Sequence, residues 1–193
     1  ILAQDGLLGR FPQSVRDFFV RHDLPETPKP GSLSARAITL LASDDLAEAA
    51  RIRAEELGFH VVIDNSCDDW DYRSAAEYLV DRLRRLRSTY PRVCLISSGE
   101  VTVKLPSAAN GLGGRNQHFS LYAATLLEPS DASTVILSAG SDGIDGNSLA
   151  AGGIVDEETL QAEARKSLQD FDSYTFLHRT GATVLTGPTG NNL

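Results

Sequence analysis

Methionine is missing from all 193 residues, where a chain of this size would carry a few. Such an absence is expected of a segment of a longer polypeptide, or of a sequence from which substituted methionines have dropped out. Spacings are therefore read only inside uninterrupted motifs. Cysteine is scarce as well: Cys67 and Cys94 stand far apart and in no ligand-like spacing. That argues against a disulfide framework or a structural zinc and fits a reduced, cytoplasmic compartment. No apolar run reaches the ~18 residues of a membrane span and no signal-peptide pattern opens the chain, so neither secretion nor membrane insertion is expected. Basic charge is in deficit, with 18 Lys and Arg against 26 Asp and Glu and a net charge of −8. No basic stripe is left for nucleic acid, although one local arginine could still receive a small anionic substrate. Three motifs are also lacking: a Walker A GK[ST], a dinucleotide G-x-G-x-x-G, and a nucleophile elbow around Ser97 and Ser98 in "SSGE".

What is present reads as an ordinary globular domain, 41% hydrophobic with dispersed charge, long enough for one core or for one domain with an extra arm. Val15, Phe18 and Phe19 suit one face of a brief helix over 14–22, and three prolines and a glycine over 24–32 stop it. Residues 1–35 are accordingly an arm and linker, and 36–193 an α/β domain. Strands are expected at 36–43, 59–65 and 92–99, alternating with helices at 44–58 and 72–88. In the first helix Leu46, Ala49, Ala50, Arg53 and Leu57 fall at helical spacing; in the second, Ala75, Ala76, Leu79, Leu83 and Leu86 form one side and arginines the other. Beyond them the patterning predicts strands at 100–105, 133–140 and 182–187 and helices at 114–127, 156–168 and 171–181. The strand and helix alternation with short connections implies an α/β fold, a largely parallel or mixed sheet flanked by helices with glycine-rich loops at the strand ends.

Four of those loops carry the candidate chemistry: "SSGE" (97–100), "GLGGRNQ" (111–117), "SAGSDGIDG" (138–146) and "TGPTGNN" (186–192). Strand ends and neighbouring helix starts form the usual ligand crevice of an open α/β sheet. Gly111, Gly113 and Gly114 either let the backbone approach an anion or merely allow a tight turn. Arg115 opposes the dipole of the helix it opens, a small cost unless an anion or a carboxylate such as Glu100 compensates it. Asp142 and Asp145 could hold a divalent cation and accept a proton from a hydroxyl, or each could cap a turn or helix. Thr186, Thr189, Asn191 and Asn192 could bind an anion or form a polar turn. His118 and His178 lack ligand-like pairing and read as ordinary hydrogen-bonded surface or interface residues.

The ordered succession "SSGEVTVKL", "GLGGRNQHFSLYAA", "ILSAGSDGIDGNSLAAGGIVD", "DSYTFL" and "TGPTGNN" resembles the C-terminal MOFRL domain of the glycerate 2-kinase family, many members of which carry a hydroxypyruvate reductase label. Residues 12–93, with "ETPKPG", resemble the family's connecting region, and Ser98 departs from its "SGGE" version. The resemblance implies a two-domain α/β kinase that uses ATP and Mg²⁺ to phosphorylate the 2-hydroxyl of D-glycerate, giving 2-phosphoglycerate, in a cleft between domains. It implies that the N-terminal domain of the same polypeptide, with a catalytic lysine, lies outside this sequence and that the segment alone is inactive. It leaves a homodimer open. Carried over by motif, Arg115 is the clamp on the transferred group and Glu100 and Asn116 lie on the substrate side. Gly111, Gly113 and Gly114 form the phosphate loop. Asp142 and Asp145 lie near the metal or the attacking hydroxyl, and Thr189, Gly190 and Asn191 line the cleft; of the two aspartates Asp142, first after the buried strand, is placed on the metal side and Asp145 on the hydroxyl side. The alternatives are a hydroxypyruvate reductase, which would need a nicotinamide site, and a non-catalytic anion-binding module.

Overall fold

Small and glycine-rich segments decide how closely the elements of this chain approach one another. The structure, a computed structural model, describes residues 6–21, 26–29, 31, 38–159 and 161–193. Its chain divides into two units, Ile1–Thr39 and Leu40–Leu193. The first contains helix α1 (Gln13–Val20), which buries no residue of its own and carries Phe18 and Phe19 edge to face at 5.6 Å. Of the linker expected at 24–32, the described residues 26–29 and 31 are irregular, and the others lie outside the described residues.

The second unit runs α2 (Ser43–Glu56), β1 (His60–Ile63), α3 (Tyr72–Arg87), β2 (Val93–Ile96), α4 (Arg115–Ala124), β3 (Val135–Ala139), β4 (Gly152–Asp156), α5 (Gln161–Gln169), α6 (Ser173–Arg179) and β5 (Thr183–Val184). β1 and β2 pair in parallel, His60 opposite Val93 through Ile63 opposite Ile96, with α3 as the crossover. β3, β4 and β5 form an antiparallel sheet in that order. The architecture is thus mixed α/β, with a parallel pair and an antiparallel sheet. Among the described residues no helix is long and apolar enough to cross a membrane.

Local chemistry accounts for the helix ends. Asp71 accepts the Arg73 N–H at the start of α3, and Arg84, Arg85 and Arg87 stand in its last turn, where cations suit the dipole. Two of these arginines also tie α3 down: Arg84 forks onto the buried Asp131 and donates to Leu126 O at 2.8 Å, while Arg87 reaches Thr134 Oγ1 and Ala132 O. The Arg84 guanidinium holds the Asp131 carboxyl below the usual carboxylate range. In α2, Asp45 accepts the Ala42 N–H at 2.7 Å, and Gly58, at φ +83°, ends the following turn.

Several expectations need correction. Of the strand expected at 36–43, residues 36 and 37 lie outside the described residues, 38–42 are irregular with Leu40 87% exposed, and Ser43 already belongs to α2. The 100–105 stretch forms no strand; its pairing is a single bridge from Thr102 to Asp71. β4 was not anticipated, because "AAGGIVD" shows neither alternation nor β-branched enrichment. Its glycines are required by proximity: a Cβ on Gly152 would overlap Ser138 O across the ladder, and one on Gly153 would lie 2.5 Å from Ser120 Oγ. Helix α5 starts after the turn that follows β4, so residue 156 is strand, not helix. The buried positions of α2 are Ala47 and Ala54, while Leu46, Ala49, Ala50, Arg53 and Leu57, the expected stripe, are all exposed.

Helix α4 is the centre of the unit, packing against α3, β3, β4, α5 and α6. One side of it, Phe119 and Ala123, joins Cys67, Tyr72, Ala75 and Ala76. The other, Leu121 and Ala124, joins Val155, Ala164, Phe176 and Leu177. Leu121 has no exposed surface, and truncating a fully buried leucine loses both its transfer energy and the contacts around the void. Leu121→Ala is expected to lower unfolding free energy by about 2–5 kcal/mol in urea denaturation; a loss under 1 kcal/mol would show that the helix is not the packing centre.

Candidate active site

A cavity of about 1550 Å³ opens within the Leu40–Leu193 unit. Its body is apolar, walled by all four residues of β2 and all five of β3. That volume exceeds the ~300–1,000 Å³ of ordinary small-molecule sites, and one stretch of its lining is polar. There Glu100, Gly111, Gly113, Gly114, Arg115, Asn116, Asp142 and Asp145 share the wall with Asn192, so each of the four glycine-rich loops contributes to it, the fourth only through its last residue.

The first turn of α4 is built around a carboxylate from another loop. Gly114 occupies the N-cap position and has no side chain to cap with. Asp145, 2% exposed, supplies the missing acceptor. Its Oδ1 accepts from Asn116 N–H and Asn116 Nδ2, both at 3.1 Å, and its Oδ2 accepts from Gln117 N–H at 2.8 Å and Gln117 Nε2 at 3.0 Å. A negative charge in this position meets both the orphan amides and the positive end of the dipole. Both oxygens of Asp145 are therefore engaged in capping, one of the two roles open to it from sequence. Asn116 is fixed at its other end too, its Oδ1 accepting from Ser138 Oγ at 2.8 Å.

The glycines answer to protein contacts. A Cβ on Gly111 would strike the Phe171 carbonyl, one on Gly113 the Ser173 hydroxyl, and one on Gly114 the Asp145 carboxylate. The loop is pinned on both sides: Leu112 N–H donates to Asp172 Oδ1 at 2.9 Å and Gly113 N–H to Asn147 Oδ1 at 2.8 Å, while Asn147 Nδ2 returns to Gly111 O at 3.1 Å. Gln117, Ser138, Asn147 and Asp172 thus shape the site without having been singled out from the sequence. The signal was faint, since each is a lone polar residue whose partner lies 22 to 60 positions away.

Arg115 forms a two-pronged ion pair with Glu100, Nη1 to Oε2 at 2.8 Å and Nη2 to Oε1 at 2.5 Å. Their side chains are 45% and 62% exposed, so the pair is a solvated one of the kind that contributes about 0–1 kcal/mol. The backbone of Glu100 is held far more firmly than its carboxylate. Its N–H donates to Asp68 Oδ1 at 2.9 Å and its carbonyl accepts from Asp69 N–H at 2.7 Å. The preceding Gly99 takes φ +123° with the Asp68 carboxylate where a Cβ would lie. Ser98, the departure from the family pattern, donates its N–H to Asn65 Oδ1 at 2.8 Å.

Asp142 differs from Asp145. It is half-buried, its Oδ1 accepts only from Ile144 N–H at 3.2 Å, and its Oδ2 has no donor among the described residues. The fourth loop stands behind it: Thr189 N–H donates to Asp142 O at 3.0 Å and Thr189 Oγ1 to Ser141 O at 2.5 Å. Thr189, Gly190 and Asn191 are exposed and not part of the cavity lining, whereas the next residues, Asn192 and Leu193, are. No group of three or more His, Cys, Asp and Glu among the described residues is placed to hold a metal ion.

Compared with known proteins, residues 93–193 match the MOFRL family. The chain is 36% identical over 181 residues to the D-glycerate 2-kinase of Thermotoga maritima, an alignment that takes in 88% of this chain and 42% of that protein. The crystal structure of glycerate kinase from Thermotoga maritima superposes with a TM-score of 0.68 at 37% identity, over 78% of this chain and 38% of the other. That of the PH0495 protein from Pyrococcus horikoshii gives 0.72 at 28% identity, over 99% and 46%. The chain thus spans less than half the length of these relatives.

The histidines part company. His178 is exposed and stacks on Tyr174 at 5.2 Å. His118, expected at a surface or interface, is instead buried at 3% exposure, edge to face with Tyr72 and stacked on Phe171, and its Nε2 has no partner among the described residues. Burial, and secondarily the nearby Arg73, pushes its pKa down to about 4. The unfolded chain, with a histidine near 6.5, then binds more protons than the folded one between those values. Stability should consequently fall as pH drops from ~6.5 towards 4, by about 3 kcal/mol at most, and this contribution should level off below. His118→Phe should flatten that slope in denaturation measured at pH 7, 6 and 5; an unchanged slope would place the proton elsewhere.

Proposed function

The chain belongs to the MOFRL family, and from that premise we propose that it forms the clamp-bearing part of an ATP-dependent kinase that transfers a phosphoryl group to the 2-hydroxyl of D-glycerate. The observation that carries this reading is one cavity lined both by a planar guanidinium fork at a capped helix start and by a carboxylate oxygen without a donor among the described residues. Phosphoryl transfer asks a protein chiefly to place anions and to neutralise developing charge. Arg115 suits the second task, because its donors match the oxygens of a phosphoryl group in pairs. Asn116, locked between Ser138 and Asp145, offers no rotational freedom and keeps Arg115 in register.

The two aspartates divide the work by their surroundings. Asp142 is assigned to Mg²⁺, which commonly binds through one or two carboxylates with the remaining positions filled by phosphate and water. A site with one available carboxylate fits that habit. When bound, the ion would neutralise charge between the β- and γ-phosphates. Asp145, both oxygens already committed to α4, is assigned to positioning in place of the alcohol-side role its motif suggested. The glycines of 111–114 serve close packing of the loop that presents Arg115. Thr189 supports Asp142 through its backbone, with Gly190 and Asn191 completing that turn. Glycerate and ATP are the small-molecule partners, the rest of the polypeptide supplies the other wall, and the compartment is cytoplasmic.

A coupled assay of the full-length protein with ATP and D-glycerate, run beside NADH oxidation with hydroxypyruvate, tests the reading; turnover in the second assay alone would overturn it. Arg115→Lys keeps the charge but removes the fork, and kcat should drop about 10²-fold with thermal stability nearly unchanged. Near-normal kcat would remove the clamp. Asp142→Asn should raise the Mg²⁺ concentration for half-maximal rate, whereas Asp145→Asn should lower unfolding free energy by about 1–3 kcal/mol through loss of a buried charged acceptor. The opposite pattern would exchange the two roles.

A further inference from the structure

We propose that Glu100 is a tethered competitor for the anion that Arg115 receives, and that it sets a charge threshold: a dianionic phosphoryl group displaces the Glu100 carboxylate, and a monoanionic carboxylate does not. This rests on Arg115 being the anion clamp. The geometry supplies the argument. Both Nη groups of Arg115 are engaged by the two oxygens of one carboxylate, so an incoming anion cannot take the end-on Nη1 and Nη2 pair without moving Glu100.

Moving it needs no backbone change. The main chain of Glu100 is fastened by Asp68 and Asp69, while its side chain is 62% exposed and can swing into solvent about its own torsions. A tether of this kind gives the carboxylate an effective concentration on the order of millimolar or above. A free carboxylate offers Arg115 the same two oxygens and the same single charge, so it must exceed that concentration to win. A phosphoryl dianion brings twice the charge and a third oxygen, and charge-assisted bidentate bonding favours it. Glu100 therefore keeps the clamp closed to substrate carboxylates and open to phosphoryl oxygens, which fixes the end of the substrate that faces Arg115.

The test uses the full-length protein and two simple probes, inorganic phosphate at pH 8 and acetate, each titrated by calorimetry against the wild type, Glu100→Gln and Arg115→Gln. The wild type should bind phosphate at least tenfold more tightly than acetate. Glu100→Gln should tighten acetate binding about tenfold and phosphate binding less, so that the preference shrinks, and Glu100→Ala should behave alike. Arg115→Gln should lose both probes. If phosphate binding depends on Arg115 but the preference is unchanged in both Glu100 variants, the competitor role is wrong and the clamp stands. If Arg115→Gln binds phosphate as the wild type does, the clamp falls and the competitor with it.

Discussion

The rest of the site depends on one carboxylate inserted into one helix start. Because Gly114 leaves α4 without a cap of its own, Asp145 has to provide it from the loop after β3, and four N–H groups converge on its two oxygens. That single arrangement links the glycine loop, the first turn of the central helix and the β3–β4 connection. It also explains why glycine stands at 114, since any side chain there would occupy the volume of the carboxylate. Arg115 and Asn116 follow immediately, so their positions are inherited from the cap.

Arg115 itself is governed by a weaker and more exposed interaction than the one that positions it. The buried cap is rigid and water-excluded; the ion pair with Glu100 is solvated and exchangeable. A rigid base carrying an exchangeable head is what a group needs if it is to release one anion and take another without disturbing the core. The apolar body of the cavity, between β2 and β3, is a separate matter from this polar stretch, and the chemistry argued above uses only the latter.

Much of the architecture was legible because periodicity and end signals agreed. The 72–88 segment shows apolar spacing of 3.6 with an aspartate before it and arginines behind, and it is α3 within one residue. The parallel pair followed from two short apolar runs around that helix. Legibility ended where a residue's identity answers to a distant neighbour. Glycines at 152 and 153 conceal a strand because their role is to let β3 and α4 come close. The apolar run at 36–43 announced a strand, yet an apolar run cannot say whether a partner edge is available. At the site, order along "SDGIDGN" offered only that Asp142 comes first after the strand; that Asp145 is a helix cap depends on α4, 29 positions earlier for Asn116 and Asp145. His118 looked like any histidine until packing put two rings against it.

The paired glycines of β4 carry an implication for how such a protein can change over time. A Cβ on Gly152 would push into Ser138 and Ala139 of β3 and one on Gly153 into Ser120 of α4 and Leu177, so added volume would be transmitted into the two elements that wall the cavity. Those two positions form a hinge between inheritance and novelty. Sequence drift there is closed off by the main chain, while the exposed ends of the loops, free of such contact, remain the ground on which new substrate preferences could be tried.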